Sequence, residues 1–290
     1  MYPDGFEYER ASSVEEAVEL LSEHTDADTE LLAGGHSLLP TMKSGLASPE
    51  VLIDIGRVDE LRGVDVDGDT VTIGAMTPYS EIAESAPLRE GCPVVAEAAA
   101  AIGDVQVRNM GTVGGNLAHA DPASDMPASV LAADATVNLA GPDGSRSVAA
   151  EEFFQGMFET AVGEDEILTS IDVPTGGGNE ASTYVKRPSP SSGYAIVGVG
   201  AAVRTDGGEV DTVRVAVTGA TDHAVRLGPV EEALTGADLS AESVADAAGR
   251  ATDDLAGATL MHDSRVSSEF RAQLLEQYTR RALDDVAELA

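Results

Sequence analysis

The 290-residue chain is 43% hydrophobic, enough to fill one large core or two ordinary ones, and it carries a formal net charge of -34 with only two lysines, Lys43 and Lys186. A phosphate backbone needs a basic footprint that such a surface lacks, which excludes nucleic acid as a partner. One cysteine, Cys92, and five scattered histidines offer no disulfide, no cluster ligands and no helical metal pair, so any iron-sulfur centre must belong to another chain.

The opening segment, MYPDGFEYER, lacks the charged-then-apolar pattern of a secretory signal, and no later run approaches the roughly 20 apolar residues that cross a bilayer. A cytoplasmic chain without membrane insertion is expected. Its acidity fits a high-salt cytoplasm, where screening weakens self-repulsion. An acidic docking face for a basic partner is the lesser alternative, because the charges are spread along the chain.

Ser13 and Glu16 fit a capping box, after which Val14, Ala17, Val18 and Leu21 share one helical face. Strands are expected at Glu30–Ala33, Val51–Ile55 and Val71–Ala75, the last preceded by a turn at Gly68-Asp69. Thr77-Pro78 reads as a helix cap followed by proline at the first helical position, and the alanine-rich Pro93–Ile102 stretch as a buried helix. A further helix covers Met126–Ala133, and strands at Thr136–Ala140 and Ile167–Val173 bracket a turn at Pro142-Asp143-Gly144.

Gly176-Gly177-Gly178 interrupts all periodicity and marks a domain boundary. Beyond it, Thr183–Arg187, Ala195–Arg204 and Val210–Val217 read as strands, the last two joined through Asp206-Gly207-Gly208. Helices over Ser240–Leu255 and Ser267–Leu289 finish the chain, the second with Phe270, Leu274 and Tyr278 on one side.

Two segments carry candidate chemistry. In Leu31–Pro40 a short apolar strand runs into Gly34-Gly35-His36-Ser37, and glycines can turn the backbone so that successive N-H groups face an anion without help from lysine. Taken alone, such a pair is more often an ordinary turn. Neither the P-loop ending nor the G-x-G-x-x-G spacing is present. The second segment, Arg108–Asp125, holds three glycines and two asparagines and is expected to be irregular loop between two helices. Together the two could grip one diphosphate, with Ser37, Thr112 and Asn116 adding side-chain bonds and Asp125 accepting from a sugar hydroxyl. Helix capping explains Asp125 equally well, and His36 and His119 read equally as hydrogen-bonded loop histidines.

Ala-Gly-Gly-His-Ser at 33–37, Arg-Asn-x-Gly-Thr-Val-Gly-Gly-Asn at 108–116 and Ala-Asp-Pro-Ala-Ser-Asp at 120–125 resemble the flavoprotein medium subunit of the carbon monoxide dehydrogenase and xanthine dehydrogenase families. The resemblance continues through Glu166–Ile171, Tyr184–Arg187 and Gly193-Tyr194-Ala195 and covers nearly the whole chain. It implies an α+β protein: a two-part FAD-binding domain of the vanillyl-alcohol oxidase (PCMH) type over residues 1–175, with lobes of about 1–57 and 58–175, then a smaller domain at 179–290 with a three-stranded antiparallel sheet and helices.

By the same resemblance, Leu32, Ala33, Gly34, Gly35, His36, Ser37 and Leu38 with Thr112, Val113, Gly114, Gly115 and Asn116 would hold the pyrophosphate and neighbouring groups of a non-covalent FAD. Asp125 would touch its polar atoms and Leu168 would pack near the flavin or adenine. Lys186 would stand by the pyrimidine edge of the isoalloxazine and Tyr194 would cover one flavin face, although unaided the two read as a surface lysine and a strand-start core residue. Two positions depart from relatives: Gly193 replaces a common acidic residue, and Ile102, also at the cofactor, replaces an aromatic found in some xanthine dehydrogenases.

The implied function is electron transfer from the 2Fe-2S clusters of a small subunit, fed by a molybdopterin large subunit, through FAD to an external acceptor; NAD as that acceptor is unsupported. The competing readings are a free-standing FAD oxidase or dehydrogenase, for which His36 and His119 are the available bases, and an assembly module that has lost FAD.

Overall fold

A computed structural model describes residues 2–175, 180–256 and 260–290. The chain opens with β1 (Glu7–Arg10), α1 (Val14–Glu23), β2 (Thr29–Leu32), α2 (Leu38–Ser44) and β3 (Val51–Asp54). The strands form a parallel sheet in the order β1-β3-β2, and α1 buries Ala17, Val18 and Leu21 in a core that also holds Ile53 and Ile55. Ser13 caps α1 as expected, accepting from Glu16 N at 3.1 Å. Glu16 departs from the box pattern: its carboxylate takes Ser12 N at 2.7 Å, one residue before the cap.

A second body comprises β4 (Val64–Asp67), β5 (Thr70–Gly74), α3 (Tyr79–Glu84), α4 (Ala86–Gly91), α5 (Pro93–Ala101), α6 (Val105–Met110), α7 (Val113–His119), α8 (Asp125–Ala132), β6 (Thr136–Gly141), β7 (Gly144–Ala149), α9 (Ala150–Phe153), β8 (Phe154–Gly156), β9 (Glu159–Thr160) and β10 (Ile167–Pro174). Its five-stranded antiparallel sheet runs β4-β5-β10-β6-β7. The expected turn at Pro142–Gly144 belongs to a β6–β7 hairpin, so a strand follows it directly. Thr77 does not cap α3. Its hydroxyl is engaged with both N and O of Gly63, which leaves Pro78 at the cap position.

The largest correction concerns Arg108–Asp125, which is mostly helical, in α6 and α7. Gly114 sits inside α7 because a Cβ there would stand 2.5 Å from Ala75 Cβ. Close docking of the helix on the end of β5 outweighs the poor helix propensity of its glycines.

The remaining elements are β11 (Glu180–Pro188), β12 (Ala195–Asp206), β13 (Glu209–Thr218), β14 (Val225–Arg226), α10 (Gly228–Leu234), α11 (Ala241–Ala248) and α12 (Ser268–Leu289). Their antiparallel sheet has the order β11-β12-β13-β14, so the three expected strands gain a two-residue fourth at the edge. The helix expected to reach Leu255 stops at Ala248, just before Gly249. On α12 the buried residues are Arg271, Leu275, Thr279, Ala282, Leu283 and Val286, with Phe270 exposed, so the face that meets the sheet lies about one residue on from the one expected. The triple glycine lies outside the described residues.

This last sheet packs on the second body. Val94 N donates to Ser182 Oγ at 3.2 Å, Tyr184 N to a Glu97 carboxylate oxygen at 2.8 Å, and Arg214 Nε to Ala132 O at 3.0 Å. Segment 120–125 is clamped in the same way: Ala195 N donates to Ala123 O at 3.1 Å, Gly219 N to Pro122 O at 2.7 Å, and Thr218 Oγ1 to Ser124 O at 2.7 Å. The position of Asp125 is therefore set by strands 70 or more residues further along the chain.

Candidate cofactor cleft

A cleft of about 500 Å³ opens between the parallel-sheet lobe and the second body, within the size range of cofactor sites. The two glycine-rich segments form its wall by touching each other. A Cβ on Gly34 would collide with the carbonyl of Met110 and lie 2.9 Å from Gly111 Cα, while a Cβ on Gly115 would meet Ala33 Cβ at 3.1 Å. Gly35 has φ +70°, the left-handed turn that carries β2 into α2.

The segments differ in what they offer a ligand. Among the described residues the N-H groups of Gly35, His36 and Ser37 make no hydrogen bond. In α7 the donors are already committed: Val113 N to Thr77 O at 3.2 Å, Gly114 N to Ala75 O at 2.8 Å, and Gly115 N to its cap, Thr112 Oγ1, at 3.4 Å. The first segment thus offers a run of free backbone donors to an anion, whereas α7, docked on β5, contributes chiefly shape and side chains. Asn116 is the notable one, since its Nδ2 donates to Ser124 Oγ at 3.3 Å while its buried Oδ1 has no partner. An orphaned buried acceptor in a cleft wall fits a ligand that carries a donor.

Ala33, Gly34, Gly35, His36, Ser37, Leu38, Thr112, Gly114, Gly115, Asn116 and Leu168 all line the cleft. His36 is exposed and its Nδ1 lies 2.9 Å from Gly34 O. Leu32, Val113 and Ile102 are not on the lining; Val113 and Ile102 belong to the hydrophobic core, and the Ile102 carbonyl accepts from Arg108 Nη1 at 2.8 Å.

Asp125, Lys186 and Tyr194 are also absent from the lining and gather behind it, with Tyr194 next to Ser37. Asp125 does not cap its helix with its side chain. One carboxylate oxygen accepts from Tyr184 Oη at 2.6 Å and the other from Lys186 Nζ at 2.8 Å, which also donates to Gly193 O at 2.9 Å. Burial pushes the Asp125 carboxyl up, against the pull of Lys186 and then of Tyr184. The left-handed φ of Gly193, +78°, belongs to the bend that brings its carbonyl to Lys186. Tyr194 is 41% exposed, with its phenol pushed up first by burial and then by Asp121, while the Ser37 hydroxyl acts in the opposite sense. That proximity links the C-terminal sheet to the first glycine segment.

Residues not anticipated also line the cleft. Tyr79 is buried against Gly111, where a Cβ would stand 2.5 Å from its ring, and burial pushes its phenol up strongly. Phe158 is 54% exposed, holds a left-handed φ of +58° and faces the His119 ring at 5.1 Å. Neither position carries a local pattern that marks it. Among the described residues no cluster of histidine, cysteine or acidic side chains could hold a metal ion, and no helix is long and apolar enough to cross a membrane.

Comparison with known families matches residues 4–176 to the FAD binding domain in molybdopterin dehydrogenase and residues 182–286 to the CO dehydrogenase flavoprotein C-terminal domain. These two domains in this order define a flavoprotein subunit of the molybdenum hydroxylases. The carbon monoxide dehydrogenase medium chain of Hydrogenophaga pseudoflava is 39% identical over 98% of this chain and 98% of its own length. The glyceraldehyde dehydrogenase medium chain of Sulfolobus acidocaldarius is 37% identical over 99% of this chain and 100% of its own. A solved structure of carbon monoxide dehydrogenase from Hydrogenophaga pseudoflava, lacking the Mo-pyranopterin moiety of its cofactor, superimposes with TM-score 0.93 at 40% identity, covering 99% of this chain and 98% of that one. The chain belongs to the FAD-binding medium subunits of the carbon monoxide dehydrogenase and xanthine dehydrogenase family.

Proposed function

We propose that the cleft holds one FAD non-covalently and that the chain passes electrons from the 2Fe-2S clusters of a small subunit, supplied by a molybdopterin large subunit, to an external acceptor. The observation that carries this is the pairing of three unpartnered amides, at Gly35, His36 and Ser37, with the orphaned Asn116 Oδ1 across a glycine wall. That donor and acceptor set fits a dinucleotide: the amides suit an anionic diphosphate, and Asn116 suits a hydroxyl or amine donor.

FAD supplies the chemistry of accepting electrons singly or in pairs and releasing them to another carrier. The chain's residues bind and polarise. Gly115 leaves the wall bare where a side chain would intrude, Leu168 offers an apolar surface, and Tyr194 stands beside Ser37. Lys186 holds a positive charge behind the cleft wall, between Asp125 and the Gly193 carbonyl, where it favours negative charge arriving with electrons. Residues 1–175 are assigned to the FAD domain, with lobes 1–57 and 58–175, and 179–290 to the C-terminal domain. The net charge of -34 supports a high-salt cytoplasm as its setting.

The test is an absorption spectrum of the purified chain in high salt, followed by chromatography of what denaturation releases. One FAD per chain is expected. No flavin after reconstitution with excess FAD would overturn the reading and leave an assembly module.

A further inference from the structure

Tyr184 and Lys186 lie two residues apart on β11 and so share one face of the strand, the face that meets Asp125. Across the ladder, Tyr184 pairs with Gly200 and Lys186 with Gly198, so β12 presents no side chain opposite either. The gap at Gly198 is occupied: a Cβ there would overlap the Tyr184 hydroxyl. Gly200 lets α8 approach instead, since its Cβ would stand 3.0 Å from Ala128 O. A phenylalanine at 184 would fill the same core volume, so packing alone gives no reason for the buried hydroxyl or for the notch that receives it.

We propose that Tyr184 is a positioning residue: by occupying one oxygen of Asp125 it directs the other at Lys186 and so fixes the lysine ammonium between Asp125 and the Gly193 carbonyl, behind the cleft wall. A buried carboxylate with two donors is held in one orientation, whereas one with a single donor rotates and takes up a proton more readily. The groups facing Asp125 are Tyr184 and Lys186 from β11, Tyr79 from α3, and Tyr194, itself beside Asp121, from the turn before β12. None but Lys186 brings a positive charge. The arrangement of charge stands on these contacts alone; its consequence for flavin rests on the FAD reading above.

The chain has only two lysines, and Lys43 is exposed, so side-chain NMR of protein labelled at lysine Nζ and Cε reads Lys186 beside an internal reference. The expected result is a Lys186 signal that inflects when Asp125 takes a proton. In Tyr184→Phe that inflection moves to higher pH, by roughly the unit that marks a tenfold change in proton affinity, while Lys43 is unmoved. An Asp125 inflection read at the same pH through the Lys186 signal in wild type and Tyr184→Phe would overturn the proposal.

Gly198→Ala, whose methyl would overlap the Tyr184 hydroxyl and stand 2.9 Å from Thr218 Cγ2, should reproduce the shift, and with Thr218→Ser as the control for that second contact it carries the test should Tyr184→Phe not fold. Combining Tyr184→Phe with Gly198→Ala should add nothing further; additive shifts would mean that the glycine acts elsewhere and overturn the notch argument. In the FAD-loaded chain, Tyr184→Phe should lower the flavin midpoint potential at unchanged FAD content, and an unchanged potential would overturn the link to the flavin. A Lys186 shift in protein that binds no FAD would refute the FAD reading and leave the positioning role standing.

Discussion

Along segments 33–38 and 111–116 the wall of the cleft is shaped by side chains that are missing, whereas behind that wall Asp125, Lys186 and Tyr184 fill the space with charge and hydroxyl. The glycine wall works by close approach, of backbone to backbone at Gly34 and of backbone to side chain at Gly115. The polar cluster works by mutual satisfaction, and it fails when a partner is removed. Perturbing each by the means that should hurt it most separates the two modes, and the largest effect is expected at the cluster. Lys186→Met leaves the Asp125 carboxylate, whose side chain is 5% exposed, without its cation. Breaking a buried pair by removing one partner costs about 3–5 kcal/mol. Urea unfolding in high salt should show a loss of that order; a change no larger than a surface substitution gives would mean that the pair is not buried as described.

Next in size is Gly34→Ala, where a single methyl meets the Met110 carbonyl and Gly111 Cα, both backbone and unable to step aside cheaply. Overpacking of this kind costs about 1–3 kcal/mol, and because the two segments are pushed apart, FAD retention should fall as well. Gly115→Asp sharpens the contrast. Its Cβ meets Thr112 Oγ1 at 2.9 Å and Ala33 Cβ at 3.1 Å, contacts that a small shift relieves, so stability should drop by about 1 kcal/mol or less. Its carboxylate, however, faces the region assigned to a diphosphate, and FAD content should collapse. Full FAD occupancy in Gly115→Asp would break the assignment of the wall.

What could be read from the chain alone divides along the same line. Gly35 acts within a few residues of itself, so its turn was visible in sequence, as were α1 and the three long strands of the C-terminal sheet, each announced by its own periodicity, whereas the contact of Gly34 with Met110 and Gly111 joins distant segments. The fold of 105–119 was hidden because Gly114 and Gly115 ordinarily argue against a helix, and only the docking of α7 on Ala75 reverses that. On α12 the pattern 270, 274, 278 and the pattern 271, 275, 279 are both helical, and a buried Arg271 that donates to Met261 O at 2.8 Å decides between them. The Asp125–Lys186 pair joins residues 61 apart. Family resemblance named both residues, but their bond to each other, and the Tyr184 hydroxyl beside it, depend on a register that no local signal encodes.

The smallest effect belongs to the mouth of the cleft, where His119 and Phe158 lie ring to ring. Burial pushes the His119 imidazole below its ordinary value, and Asp121 opposes this more weakly. A base depressed in the folded state binds fewer protons there than in the unfolded chain, so stability rises with pH across that window. The contribution is complete above the ordinary histidine value, about 6.5, and is lost as pH falls toward the folded value. Replacing His119 with Gln should therefore flatten the pH dependence of the urea midpoint below about pH 6.5 while leaving neutral-pH stability nearly unchanged. Phe158→Ala should act in the same direction by opening the ring to water, and it gives the partial flattening expected if Phe158 supplies part of the burial. If His119→Gln leaves the slope as steep as in the wild type, the imidazole is already solvated and the aromatic pair does not close that side of the cleft.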